Sequence, residues 1–293
     1  MKIAISGTEL QETERISELI ESAAELGVSF IELWYPRNTA GAGLEQTLSQ
    51  IQEAGLGIAC VATGSELFRK GGSLKDQALL MQAIELAHRV GAPYANTYFG
   101  YHSAQDDAAA IATYRSYLEP CLKLAVDRGV TIVLENEFNA FGVDSAASDV
   151  TRRPASLVRL FEAVDSPAFR LNFDACNFYC AGVDPFPDAY EIVRPFIAYC
   201  HVKDGRRCPA PAPDAAPDPD WRVYTDFDNN YLMRPMGEGV IPWASIMRCL
   251  RGDGYDGFLT LEPHSELHLR RNAWRQSAAF VRDVLGKSLE ASA

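Results

Sequence analysis

Residues 130–137 read VTIVLENE, a run of β-formers that ends on a carboxylate, Glu135. The pattern recurs three times toward the C-terminus: 169–174 (FRLNFD), 197–201 (IAYCH) and 257–262 (GFLTLE) each finish an apolar run on Asp, His or Glu. Burying an ionisable group costs several kcal/mol unless something pairs with it. Four such groups at four strand ends therefore suggest a shared partner, and a divalent cation is the simplest. A strand that merely reaches water also ends on a polar residue, so the weight of the pattern lies in its recurrence.

Outward from these strands, short β-rich runs alternate with longer amphipathic ones. Residues 2–6 precede a helix-like 12–26, 28–35 precede 44–54, 57–62 precede 76–90, and 94–98 precede 107–128. After 130–135 comes 154–164, after 169–174 a poorer helix near 188–194, after 197–203 an irregular stretch and then 243–251, and after 258–262 the segment 267–285. Eight strand–helix units in roughly 250–300 residues match a closed (β/α)₈ TIM barrel better than an open doubly wound sheet. Gly27, Gly55, Gly91 and Gly129 stand between a helical run and the next strand, where a C-cap needs φ > 0. In the third helix, Leu79, Ala83, Leu86 and Val90 fall on one face. No linker or composition shift divides the chain, so a single domain over 1–293 is expected. The turn after the first strand, Ser6-Gly7-Thr8-Glu9, lacks the G-x-G-x-x-G of a dinucleotide fold.

Residues 206–236 stand apart. Their first half, including CPAPAPDAAPDPD, is proline-rich and reads as an extended loop; the second, WRVYTDFDNNYLMRPM, is aromatic. As an insertion after strand seven it belongs to the C-terminal face, where such barrels keep their active sites, and would act as a lid or a subunit contact. A homo-oligomer is compatible with the latter.

Composition narrows the partners. With 27 basic against 39 acidic residues and a net charge of −12, the chain would repel nucleic acid and an anionic membrane alike. The N-terminus is not read as a signal peptide and no run of ~18 apolar residues occurs, so a soluble cytoplasmic protein is expected. Seven scattered cysteines look like reduced core thiols, and the pair Cys176/Cys180 lacks the second pair that structural zinc would want.

In a barrel the ends of strands five to eight are neighbours, so Glu135, Asp174, His201 and Glu262 would converge. Three carboxylates and an imidazole form a hard, oxygen-rich site for one divalent ion, favouring Mn²⁺, Mg²⁺ or Co²⁺, with Zn²⁺ admissible. Here LENE, NFDACN, CHVKD, GEGVIPW and LTLEPH resemble successive strand-end motifs of the xylose-isomerase-like barrel superfamily. That group of sugar phosphate isomerases and epimerases includes ketose 3-epimerases, hydroxypyruvate isomerase, inosose dehydratase and endonuclease IV. The resemblance spans nearly the whole chain and implies metal ligation by Glu135, Asp174, His201 and Glu262, with Glu135 and Glu262 also the acid/base pair. A metal chelated by a carbonyl and its adjacent hydroxyl would stabilise the enediolate left by proton abstraction. Return of the proton on the other face is epimerisation; transfer on one face is aldose–ketose isomerisation; loss of a β-leaving group makes a lyase.

Two departures bear on that choice. Ketose 3-epimerases usually carry His three residues after the metal Asp, where this chain has Asn177; their Arg after the metal His could be Arg206 or Arg207. Endonuclease IV needs more histidines than the five present. Lys203 and His264 each lie two residues beyond a ligand on the same strand side, as hydroxyl contacts, a carboxylate partner or a proton shuttle. Asn177, Lys203, Arg207, His264 and Trp34 are the substrate-binding candidates; Tyr98 and His102 would extend a sugar-stacking wall with Trp34. Glu137 is either a further acid/base group or a loop carboxylate, Glu238 a minor contact within a structural Gly237-Glu238-Gly239, and His88 structural. The leading expectation is an isomerase or epimerase of a keto sugar or polyol. The alternative is a lyase, either an inosose-type dehydratase or an enzyme releasing the aglycone of a 3-oxo-glycoside. A non-catalytic sugar-binding barrel would have lost a ligand, and none is lost. With no glycine-rich turn after strands seven and eight, an unphosphorylated substrate is expected.

Overall fold

Gly27 and Gly129 end their helices at φ of 59° and 66°, their N–H groups bonded back into the last turn, and a strand begins within three residues of each. The left-handed conformation strains any residue with a Cβ. The computed structural model describes residues 1–10, 15–68, 73–101, 106–138, 149–209 and 220–290. Its strands are β1 (Lys2–Ser6), β2 (Phe30–Trp34), β3 (Gly57–Glu66), β4 (Tyr94–Tyr98), β5 (Thr131–Glu135), β6 (Phe169–Asp174), β7 (Ile197–Val202), β8 (Asp204–Cys208), β9 (Val223–Asp226), β10 (Asn229–Arg234) and β11 (Phe258–Leu261). The helices are α1 (Ile16–Leu26), α2 (Leu44–Glu53), α3 (Ser73–Val90), α4 (Asp107–Arg128), α5 (Pro154–Val164), α6 (Ala175–Cys180), α7 (Tyr190–Val193), α8 (Trp243–Gly252) and α9 (Arg270–Glu290).

Eight parallel strands close in the order β1-β11-β7-β6-β5-β4-β3-β2, with helices between them: the (β/α)₈ barrel expected from the alternation. Register levels the strand ends, because Glu135 pairs with Asn172, Asp174 with His201, and Leu261 with Val202. Ala4, Ala59, Cys60, Val133, Tyr199 and Phe258 form a cluster contributed by strands alone, below the level of those ends. The main core lies between strands and helices. On α3 the buried face is Leu80, Ala83, Ile84, Leu86 and Ala87; of the four residues expected on one face, Ala83 and Leu86 are buried and Leu79 and Val90 half-buried. The stripe is wider than expected, taking in Leu80, Ile84 and Ala87, because α3 packs against both β3 and α4.

The insertion departs most from expectation. Its aromatic half is a hairpin, β9 and β10, and β10 pairs with β8 to make a three-stranded antiparallel sheet; residues 210–219 of the proline-rich half lie outside the described residues. The alternation that makes a strand is present on β10, where Tyr231 and Met233 are buried. Two buried carboxylates fasten this sheet. Arg152, before α5, holds Asp226 through a forked contact of 2.6 and 3.0 Å. Asp204 accepts N–H bonds from Gly205, Gly237, Gly239 and Ile241. A Cβ on Gly239 would stand 1.9 Å from Asp204 Oδ1, which explains glycine there and agrees with the structural role expected of that turn.

Candidate metal centre and cleft

Strand alternation turns Glu135 on β5, Asp174 at the end of β6 and His201 on β7 toward the barrel axis, and Glu262 follows β11 with its N–H on Val202 O. One donor atom from each of the four lies within 4.8 Å of the others. Exposure is 3% or less for all four. The expected ligand set is thus brought together.

Glu32 on β2 completes the arrangement and was not anticipated. Its Oε2 lies 3.0 Å from His201 Nε2, while Oε1 accepts the Ser6 hydroxyl at 2.6 Å. A carboxylate on one ring nitrogen keeps the proton there and leaves the other as a lone-pair donor. His201 Nδ1 faces Glu135 at 3.0 Å and Glu262 at 3.4 Å and is buried without a well-aligned hydrogen bond. Lys203 bridges the ligands, 2.6 Å from Asp174 Oδ2 and 2.9 Å from Glu262 Oε2. Four largely buried carboxylates, Glu32, Glu135, Asp174 and Glu262, face the Lys203 ammonium and the imidazoles of His201 and His264, so negative charge exceeds positive even with both rings protonated. That deficit of positive charge is what a divalent cation would supply, so donor set and charge both fit one.

The side chains also set one another's basicity. Burial raises the Glu135 carboxyl, although His201 pulls against it. Burial acts the same way on Glu262, yet Lys203, His201 and His264 outweigh it and hold that group well below the usual carboxylate range. Burial opposes charge on His201, but Glu135, Glu32 and Glu262 raise it well above an ordinary imidazole.

Two of the four, Glu135 and Glu262, line a cleft of about 400 Å³. Of the candidates beyond the ligands, Asn177, Lys203, His264 and Trp34 line it. Asn177 donates to Glu135 Oε1 at 3.1 Å and to Asn136 O at 2.9 Å, and its buried Oδ1 has no hydrogen-bond partner. His264 joins Glu262 at 3.3 Å to the Tyr224 hydroxyl at 2.9 Å. Trp34 and Tyr98 make an aromatic wall with ring centroids 6.3 Å apart, whereas His102 lies outside the described residues. Glu137 lines the cleft, its carboxyl raised well above the usual range by burial and then by Glu135. Arg207 does not line it: the side chain is exposed on β8 and contacts Asn229, and Arg206 beside it is exposed too. Glu238 pairs with Arg234 on the surface, and the His88 ring meets Arg128 O. The cleft's arginines are instead Arg37 and Arg222. Glu32 had a visible signal, a carboxylate inside the apolar run FIELW; Arg222 and Tyr224 had none, because only the hairpin brings them over the site.

Against known proteins, 31% identity over 144 residues links the chain to a 2-epi-5-epi-valiolone 7-phosphate 2-epimerase of Actinoplanes sp., covering 49% of this chain and 46% of that protein. The match thus spans about half the length of that curated relative. Among solved structures, a xylose isomerase-like TIM barrel protein from Mycobacterium smegmatis in complex with magnesium superposes with a TM-score of 0.72 at 18% identity, covering 98% and 97% of the two chains. A probable 3-DHS dehydratase from Bacillus anthracis does so with a TM-score of 0.70 at 19% identity, covering 96% and 99%. The model of the xylose isomerase-like TIM barrel family matches residues 20–284, and with the closed barrel this means that the chain belongs to that family.

Proposed function

We propose that the protein is a divalent-metal-dependent isomerase or epimerase of a keto sugar or related polyol, working by proton abstraction beside a carbonyl. The observation that carries this reading is the convergence of Glu135, Asp174, His201 and Glu262 within 4.8 Å, with Glu135 and Glu262 lining the cleft. These four residues would hold Mn²⁺, Mg²⁺ or Co²⁺, with Zn²⁺ admissible, and the ion would lower the cost of the negative charge that builds on the substrate oxygens. Family membership and the epimerase relative support the reaction class.

The remaining work falls to the chain's own side chains. Glu135 and Glu262 come from strands separated by β6 and β7, so they reach a bound sugar from different sides. One takes the proton and the other returns it. Lys203 holds Glu262 and Asp174 in place and offers further N–H donors to a substrate oxygen. Asn177 steadies Glu135, and its free Oδ1 can accept from a hydroxyl. Trp34 and Tyr98 provide an apolar face for the ring, and closure of the cleft by Tyr224 and Phe138, packed edge to face at 5.7 Å, limits water.

The alternative is a lyase on the same platform, and one observation favours it. Asn177 occupies the position where ketose 3-epimerases usually carry a hydroxyl-binding His, and it is committed to Glu135. Incubation of the metal-loaded protein with keto sugars in deuterated water, followed by NMR, separates the two. Deuterium beside the carbonyl or a new sugar isomer supports the isomerase; an unsaturated product supports the lyase. Neither, across ketoses and inososes, would sink both.

A further inference from the structure

The walls of the cleft differ in charge. On the arc formed by the ends of β2, β1 and β11 stand Arg37, Thr8, His264 and Arg222, linked by short contacts. Arg37 donates to Thr8 O at 2.8 Å, His264 N–H to Glu9 Oε1 at 2.8 Å, and Arg222 N–H to His264 O at 3.4 Å. The opposite arc, from β3 to the loop after β5, presents Glu66, Glu137 and Asp149, and Asp149 Oδ2 is buried without a hydrogen-bond partner. Glu135 and Glu262 line the cleft as well.

We infer that the substrate carries an anionic substituent, a carboxylate or a phosphate, and that Arg222 receives it from the hairpin while hydroxyls face the acidic wall. This rests on the reading of the cleft as a sugar-processing site and names the substrate class for it. A neutral polyol is served by single N–H or O–H donors such as Lys203, and the two guanidiniums of Arg37 and Arg222 on one wall exceed that need. A guanidinium half-buried at the rim is instead suited to a planar or tetrahedral oxyanion, which it meets with two parallel N–H bonds. Burial works against the charge of Arg222, whereas Glu9, the Tyr224 hydroxyl and Glu266 favour it. Glu9 and Glu266, neither of which lines the cleft, thus favour the charged guanidinium. The lack of glycine-rich turns argues only against a phosphate site built from backbone amides, whereas Arg37 and Arg222 are side-chain cations.

The test uses the full-length metal-loaded protein with inorganic phosphate and malonate as probes, each titrated by calorimetry into wild type, Arg222→Gln, Arg222→Lys and Arg37→Gln. Binding of either probe should weaken at least tenfold in Arg222→Gln and recover in part in Arg222→Lys, and the preferred probe separates a phosphate from a carboxylate substituent. Unchanged binding in Arg222→Gln, including binding through the metal alone, overturns the proposal, as does a wild type that binds neither probe. If Arg222→Gln does not fold, the comparison of wild type with Arg222→Lys decides, since loss of the fork should still cost affinity. Metal content and deuterium uptake from neutral ketoses, followed in the same samples, report separately on the proposed reaction.

Discussion

Glu32 never approaches the cleft surface, yet it decides which nitrogen of His201 faces the carboxylates. Removing it frees the imidazole to rotate and to protonate on the wrong side. Glu32→Ala should therefore weaken Mn²⁺ binding by ~10–100-fold, the usual effect of losing a carboxylate behind a metal-binding imidazole. Calorimetric titration with Mn²⁺ checks this, and wild-type affinity in the variant would refute it. The two glutamates of the cluster call for a different experiment, because they are proposed both to ligate and to carry a proton. Glu135→Gln and Glu262→Gln keep the volume and one donor oxygen but lose basicity. At saturating metal, turnover should fall by ~10²–10⁴. Near-normal turnover in Glu262→Gln would move the acid/base role to Glu137, Lys203 or His264, all of which line the same cleft.

At the scale of elements, the three-stranded sheet β8-β10-β9 hangs on few anchors, and Asp204 is the one that can be cut cleanly. Its carboxylate takes four backbone N–H groups, three of them in the turn from Gly237 to Ile241. Hydrogen bonds to a charged acceptor contribute ~1.5–3 kcal/mol each, and losing the carboxylate also removes the cost of burying its charge, so the net effect is well below their sum. Asp204→Ala should lower stability by about 3 kcal/mol and speed amide exchange at Gly237 and Gly239. Denaturant unfolding gives the first quantity and hydrogen exchange the second. A change within ~0.5 kcal/mol, ordinary for a surface substitution, would show that Arg152–Asp226 and the strand pairing suffice. Position matters as much as strength here, since the same sheet carries Arg222 and Tyr224 over the site.

For the whole molecule, the cluster is a store of unfavourable charge that a bound cation would relieve only in the folded chain. Ligand that binds the native state alone stabilises it by RT ln(1 + [L]/Kd), ~2.7 kcal/mol at a hundredfold excess over Kd. Thermal unfolding of metal-stripped protein should shift upward by several degrees as Mn²⁺ or Mg²⁺ is added, and His201→Ala should abolish the shift. An equal shift in that variant would place the ion elsewhere. Among the described residues no helix is long and apolar enough to cross a membrane.

Local pattern was sufficient for the barrel. Strand and helix periods, and glycines such as Gly27 and Gly129 at helix ends, depend on contiguous residues, and they foretold every strand of the closed sheet. The convergence of Glu135, Asp174, His201 and Glu262 followed, since a parallel barrel leaves strand ends no other place to meet. What escaped the sequence depends on neighbours far apart along it. Glu32 reaches His201 across 169 positions, and its role exists only once barrel closure brings β2 within three strands of β7. Arg207 is near His201 in sequence but turns outward on β8, while Arg222 returns to the cleft because Trp221 bridges to Ser265 and β9 pairs with β10. The chain's own order of residues determined the fold and the meeting of the four side chains; that Arg222 joins Arg37 on one wall was decided by the tertiary path of the hairpin, which no local propensity encodes.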